Sequence, residues 1–524
     1  SYTDANSLTN ATGAMAKVLC ERGTSVAVAS KIPHTWTMAR NIAASLPALG
    51  SNNEDITLVQ RFLETEISPD FELISLLDKG VAVHHAGLSE ETRSLIEWLT
   101  EQGHLRVLCA TTTIAQGLNF PVSSVFLADR KFPYGKEMPK RAFWNLAGRA
   151  GRISHDSVGV VGIAADNNPN EVINFVKEAH EELVSRLVVM LREMDNLTIS
   201  DLTAVIERDE WVDFRSYIAH LWNETQNLQT VLAATEQTLR NTLGYQKLRA
   251  SPSNQDKRRA EVLLEATKQY VRRLSEHPEN AALADATGFS PEGVRTALLE
   301  MNQLEKKLRP SDWQPESLFG SVNRSSLPQL VGIMMKIPQI RKSLEEIGGS
   351  GKSQRHIAEI AQAWVTGEAI GKIAEKYFKD PNDESLTNAI TDACKGIYRT
   401  LGNAGTWGLS ALSKMPTSGL DFDNLPEATR RAINTLPAML YHGVYNEEAV
   451  MMRINSVPRT IANSLGELFA TQSQSGEIRP TVRQVREFLR QLPLNDWQKA
   501  APKKAAMSGK DYREVWRKLS GESD

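Results

Sequence analysis

Arg106-Val-Leu-Cys-Ala-Thr-Thr-Thr-Ile-Ala-Gln-Gly-Leu-Asn-Phe-Pro121 joins a short apolar run to a hydroxyl-rich loop. Its first part, Arg106–Cys109, has the length and character of a buried strand. Similar runs recur at Val26–Ala29, Val81–Val83, Val125–Ala128 and Val158–Ile163, with helix-like segments near Thr35–Leu46, Glu90–Glu101 and Lys140–Ala147 between them. Continuous apolar strands need cover on both faces, and strands that alternate with helices build parallel sheets. The spacing predicts an α/β domain over residues 23–168.

Beyond Asn167 the strand pattern stops. Val172, Val176, Ala179, Leu183, Leu187, Met190 and Met194 share one helical face, and the remainder reads as a large all-α region. Pro- and Ser-rich stretches at Arg249–Asp256 and Arg309–Leu327 are expected to connect helical subdomains. The expected order is a linker or helix over 1–22, the α/β domain, a helical region over 169–326 in which a winged helix is one option, and a C-terminal helical region over 327–524.

The 524 residues, 41% of them hydrophobic, are enough for roughly three or four domains. A net charge of -3 gives no global attraction to polyanions, so any nucleic-acid surface must come from local patches. Cys20, Cys109 and Cys394 form no CxxC pair and leave an odd count, which fits a reducing, cytoplasmic setting better than a disulfide framework. No apolar run reaches the roughly 18 residues of a membrane span, and the start lacks a secretory pattern. The chain opens at Ser1 and is expected to be a piece of something longer.

Two segments suit phosphate. Hydroxyls and backbone N–H groups in Ala110–Pro121 follow a strand, where α/β sheets bind ligands, although a Thr-rich loop taken alone is more often a cap and turn. About thirty residues on, Phe143-Trp-Asn-Leu-Ala-Gly-Arg-Ala-Gly-Arg152 sets two guanidinium groups three residues apart among small residues. Each offers a rigid donor fork and a permanent charge, which suits a polyphosphate. Gly348-Gly-Ser-Gly-Lys-Ser353 imitates a P-loop, but Glu346 occupies the first glycine position and the preceding Gln339–Ile347 is polar and helix-like. A glycine stop and a serine start for successive helices is the better reading.

Gly80-Val-Ala-Val-His-His-Ala-Gly-Leu88, Ala110–Pro121 and Gly148-Arg-Ala-Gly-Arg152, in this order, resemble motifs IVa, V and VI of superfamily 2 helicases. Within that superfamily the resemblance is to the superkiller-like group, which includes archaeal repair helicases and exosome-linked RNA helicases. It covers roughly Gly23 to Ala165 and implies a second RecA-like motor domain. By this resemblance Thr111 contacts the phosphate backbone of a loaded strand with Thr112 beside it. His85 and Gly87 lie along the nucleic-acid path. Gly117 and Asn119 line the nucleotide, and Asn145 stands where the group usually has a longer Gln. Arg149 and Arg152 reach the γ-phosphate of ATP, Arg152 as the arginine finger.

The loop Asp129–Arg141, with Arg130, Lys131, Phe132, Tyr134 and Lys136, falls where relatives carry a strand-separating hairpin; a flexible basic loop is the alternative. Ile360–Ala374 followed by Ala389–Leu401 resembles the Trp-x-x-Gly element of the group's ratchet domain, with Trp364 as a fold anchor; a Trp with apolar residues at helical spacing is more often plain core, which is the alternative.

No segment supplies a Walker A loop or an acidic Mg²⁺-binding motif, both of which phosphoryl transfer needs. The chain alone is therefore expected to be inactive, with ATP and Mg²⁺ held mainly by a first motor domain ahead of it or in a separate subunit. Two basic sets, Lys257, Arg258, Arg259, Lys268, Arg272 and Arg273, and Lys499, Lys503, Lys504, Lys510, Arg513, Arg517 and Lys518, could follow a phosphate backbone or be solvated helix faces. The ten histidines are scattered and support neither a metal site nor a catalytic triad. The functions that remain are an ATP-driven translocase on DNA or RNA, for which bacterial defence or repair is the setting suggested by analogy, a nucleotide-dependent remodeller, and a non-catalytic scaffold for a nuclease or other effector.

Overall fold

The computed structural model describes residues 7–50, 53–112, 122–129, 138, 143–144, 159–164, 170, 173, 211–348, 353–382, 385–472 and 481–522. Five strands, β1 Ser25–Ala29, β2 Val81–His84, β3 Val107–Thr111, β4 Ser124–Leu127 and β5 Val160–Ile163, form one sheet in the order β2-β3-β1-β4-β5. Every pairing is parallel, with Ser25 opposite Val107 on one side of β1 and Ser124 on the other. All residues of β1 to β4 are buried, as continuous apolar strands require. The expected strands fall within two residues of the observed ones.

The helices of this domain are α1 Leu8–Leu19, α2 Ile32–Ala44, α3 Glu54–Glu66, α4 Leu73–Leu77 and α5 Glu90–Glu101. Local chemistry starts them. Asn53 caps α3 by accepting from the backbone N–H groups of Asp55 and Ile56, and Ser89 caps α5 by accepting from Thr92 at 3.1 Å. Acidic residues fill the first turn of both helices, which favours the N-terminal end of the helix dipole. Lys140–Ala147, expected as a helix, and the helical face from Val172 to Met194 lie almost wholly outside the described residues.

The compact units do not follow the linear division expected from sequence. One comprises residues 1–181, 363–399 and 442–524, and the other residues 182–362 and 400–441, so the expected break at 326/327 falls inside the second. In the first unit the α/β domain shares its core with the helices Ile370–Tyr377, Leu386–Cys394, Glu447–Ile454, Arg459–Gln472 and Gly509–Ser520. Trp364 anchors this group. It is 1% exposed, the Arg459 guanidinium lies 4.4 Å over its ring, and Tyr398 meets it edge-on at 5.3 Å. Arg459 is itself buried and donates to the carbonyls of Trp364 and Glu368 at 3.2 and 2.8 Å. A desolvated cation–π contact of this kind is worth about 2 kcal/mol.

The second unit is helical where described. Its 22-residue helix Asn254–Ser275 buries Leu263, Leu264, Tyr270 and Val271. Trp313 and Trp407 donate their indole N–H groups to the carbonyls of Ser418 and Thr287, which satisfies both polar tips inside the unit. On either side of the P-loop imitation, whose residues 349–352 lie outside the described residues, Pro338–Gly348 is a helix and Ser353 accepts from the His356 N–H as the helix Gln354–Val365 begins.

Gly443 has φ +67, and a Cβ there would lie 2.3 Å from Trp364 Cε2. Gly443→Ala is expected to cost about 2–4 kcal/mol, combining left-handed strain with overpacking. Gly103→Ala, at φ +73 with open space around it, should cost only the strain, about 1–2 kcal/mol. Chemical unfolding of the two variants measures the difference; equal midpoints would show that Gly443 does not depend on the tryptophan beneath it.

Candidate functional site

Parallel strands all end at one edge of their sheet. The segments that follow β1, β2, β3, β4 and β5 begin at Ser30, His85, Thr112, Ala128 and Ala164 and therefore emerge side by side. From β1 the chain first builds β2 and β3 on one side and then β4 and β5 on the other. The strand order reverses at β1, and α/β sheets bind ligands beyond the strand ends at such a point. This edge is the candidate site.

Motif V starts here. Thr111 is the last residue of β3, buried and opposite Ala29 of β1, and half-buried Thr112 follows it into the loop. Gly117, Asn119, Asn145, Arg149 and Arg152 lie outside the described residues, as does most of the loop Asp129–Arg141. Just before Asn145, buried Phe143 packs edge-on against half-exposed Trp144 at 5.2 Å.

Motif IVa is described in full. His84 ends β2 with its Nε2 2.7 Å from Glu97 of α5. The next ring, His85, is fully buried; its Nδ1 accepts from the Gly87 N–H at 3.1 Å, and Trp36 meets it edge-on at 5.6 Å. Accepting at Nδ1 places the proton of the neutral ring on Nε2. Burial, helped by His84 and Arg93, lowers its pKa to about 3. In this conformation the His85 ring is buried, and its bond to the Gly87 N–H closes the loop.

Gly87 is required by close approach. A Cβ there would lie 2.6 Å from Thr391 Cγ2 and 3.3 Å from the Thr391 carbonyl, so the helix Leu386–Cys394 sits directly on the motif IVa loop. Two carboxylates beside it were not singled out from sequence. Glu91, in the first turn of α5, accepts from Arg453 Nη2, and Arg453 Nη1 donates to the Val457 carbonyl at 2.8 Å. Burial pushes the Glu91 carboxyl up, but the Arg453 guanidinium outweighs it and holds the group below the usual carboxylate range. Glu66, at the end of α3, accepts from the Thr460 hydroxyl and N–H, and burial raises its pKa. A local signal existed, since Glu66 continues the apolar stripe Val59, Phe62 and Leu63, and Glu91 precedes Leu95 and Leu99 by whole turns.

The two basic sets are partly engaged by acids. Lys268 pairs with Glu236, Arg272 with Glu265, and buried Arg259 with Asp256. Lys499 pairs with Asp496 and Arg517 with Glu514, while the Lys518 ammonium lies 4.6 Å over Trp98. Among the described residues no group of three or more His, Cys, Asp or Glu could hold a metal ion, and no helix is long and apolar enough to cross a membrane.

Residues 47–154 match the helicase conserved C-terminal domain. Similar proteins include the antiviral helicase SKI2 of Saccharomyces cerevisiae, 35% identical over 28% of this chain and 12% of that protein. The Hachiman protein HamB of Bacillus cereus is 33% identical over 23% of this chain and 11% of its own length. The ATP-dependent DNA helicase Hel308 of Pyrococcus horikoshii is 36% identical over 22% of this chain and 17% of its own. The matched stretch is thus less than a fifth of each of these relatives. The family match spans β2, β3 and β4 of the parallel sheet, and over this stretch the chain is similar to superkiller-like superfamily 2 helicases in their C-terminal, second RecA-like domain.

Proposed function

We propose that the chain is the second motor half of an ATP-driven translocase that moves along or unwinds DNA or RNA. The observation that carries this reading is the all-parallel sheet, because it gathers the ends of β2 and β3, where motifs IVa and V begin, at one edge. Motif VI lies in the connection between β4 and β5 and returns to the same domain. In this reading Thr111 and Thr112 meet the strand's phosphates, while Gly117, Asn119 and Asn145 line the nucleotide. Arg149 and Arg152 hold the γ-phosphate, a task for which permanently charged donor forks are suited.

ATP supplies the phosphoryl group and Mg²⁺ the compensating charge, both held mainly by a first motor domain. His85 is assigned to shaping the loop rather than to the strand, because its ring is buried and its acceptor nitrogen is committed to Gly87. A role in defence is supported by the name of the yeast antiviral helicase, and a repair role by the resemblance to the archaeal enzymes. An effector subunit as partner belongs to the same proposal, as does a cytoplasmic location.

The decisive test pairs this chain with a first motor domain and measures ATP turnover with and without single-stranded DNA and RNA. Strand-stimulated turnover should appear, and Arg152→Ala should lower it by roughly 10³–10⁵. Turnover absent with either strand would support the non-catalytic scaffold instead.

The histidine gives a pH prediction. Its folded pKa of about 3 lies below the ordinary 6.5, so the unfolded chain binds the extra proton in between. The stability that neutral His85 contributes is fully present above pH 6.5 and is lost as pH falls toward 3, by at most about 1.4 kcal/mol per pH unit. In His85→Asn the amide oxygen can take over the Gly87 bond, and the stability–pH slope over this window should be shallower. Identical slopes in the two proteins would remove His85 as its source.

A further inference from the structure

The motif IVa loop is built from two distant stretches of chain, and only one of them carries the motif. On the motif side, the turn His85–Leu88 closes through the His85–Gly87 hydrogen bond, and Ser89 then caps α5. On the other side, Thr391 presses on Gly87, Cys394 lies against the Ser89 backbone, and Arg453 bonds Glu91 two residues past the cap. Arg453 is placed by an unusual turn. Ser456 adopts φ +65, uncommon for a residue other than glycine, as the helix Glu447–Ile454 gives way to Arg459–Gln472. The turn sends the side chains of Arg453 and Arg459 into the same buried region, and Arg453 reaches back to the Val457 carbonyl across it.

We propose that Arg453 is a positioning residue for strand engagement: through Glu91 and the capped start of α5 it fixes where the His85–Leu88 loop stands at the sheet edge. The inference rests on the reading of that edge as the strand-binding side of a helicase motor. It adds that the loop's position is set by the C-terminal helices as well as by the sheet. Thr391 supplies the second point of the clamp by closing the space over Gly87. Leu88 and Ser89 are thereby held between β2 and two groups that arrive from about 300 and 360 residues further along the chain.

The alternative is that Arg453 only glues the helices to the α/β domain. A second link from the same helices tests this: Arg61 of α3, half-exposed, pairs with Asp511 at 3.2 Å and does not touch the loop.

The experiment uses the helicase with both motor domains present and a single-stranded oligonucleotide that stimulates it. For each variant the strand concentration giving half-maximal stimulation, the maximal turnover and the strand-free turnover are measured, with a melting curve to establish folding. Arg453→Gln combined with Glu91→Gln, which leaves no unpaired buried charge, should raise the half-maximal concentration by about tenfold or more, since small misplacements of a contact loop are costly. Strand-free turnover should stay within about twofold, because the nucleotide contacts are elsewhere. Thr391→Leu, which leaves the ion pair in place and adds bulk against Gly87, should move the same constant.

Arg61→Ala should leave the constant unchanged. If folded Arg453→Gln/Glu91→Gln and Thr391→Leu proteins keep the parental half-maximal concentration, the clamp is overturned while the helicase reading stands. A shift in Arg61→Ala as large as in the clamp variants would also overturn it, by showing general loosening. If the parent protein is stimulated by neither DNA nor RNA, the helicase reading fails first and the clamp fails with it.

Discussion

A polar group removed from water must find a partner, and in this protein two buried carboxyl groups find theirs 394 and 362 residues further along the chain. Glu66 and Glu91 lie on helices that cover the sheet, and they are matched by Thr460 and Arg453. Breaking a buried pair by deleting one partner typically costs 3–5 kcal/mol, because the charge that remains is unpaired. The α/β domain is therefore not chemically complete over residues 23–168. Its helices carry polar groups that only the C-terminal segments satisfy, and the first compact unit accordingly draws on three separate stretches of chain.

The same constraint shapes the edge of the sheet. A parallel sheet whose first four strands are fully buried leaves its chemistry to the connections, and here one connection, the motif IVa loop, is closed by a buried neutral histidine and roofed by a helix from the C-terminal half. Motif V is simpler, since Thr111 is still part of a strand and is fixed by pairing with β1. Two ways of holding a loop thus meet at one edge, one through the strand ladder and one through distant side chains. In the proposed motor, movement of the helices and presentation of the strand contacts would be linked through the second.

What could be read from sequence follows from the range of the forces involved. Strands and helices are written locally: Val81–Val83 and Val107–Cys109 are apolar at every position, and Ser89 followed by Glu90 and Glu91 announces a helix start. The false P-loop at Gly348–Ser353 could be set aside for the same reason, because the polar helix before it is visible in its own residues. Motif spacing carried the family. The partition into units was not legible, because nothing near Glu91 names Arg453 as its partner, and a linear division of the helices could not show that 363–399 and 442–524 return to the first domain. His85 was legible as part of a motif but not as a buried ring, since burial is a property of the packed neighbours Trp36 and Gly87 and not of the His-His pair itself.

Hydrogen–deuterium exchange of the protein with and without single-stranded nucleic acid tests the central claim most directly, that the C-terminal edge of this sheet is where the strand lies. Protection on adding the strand should fall on peptides spanning His85–Ser89 and Thr111–Thr112, while the interiors of β1 and β4 stay unchanged. Binding with no change at either segment, or with protection confined to residues outside the α/β domain, would contradict the account.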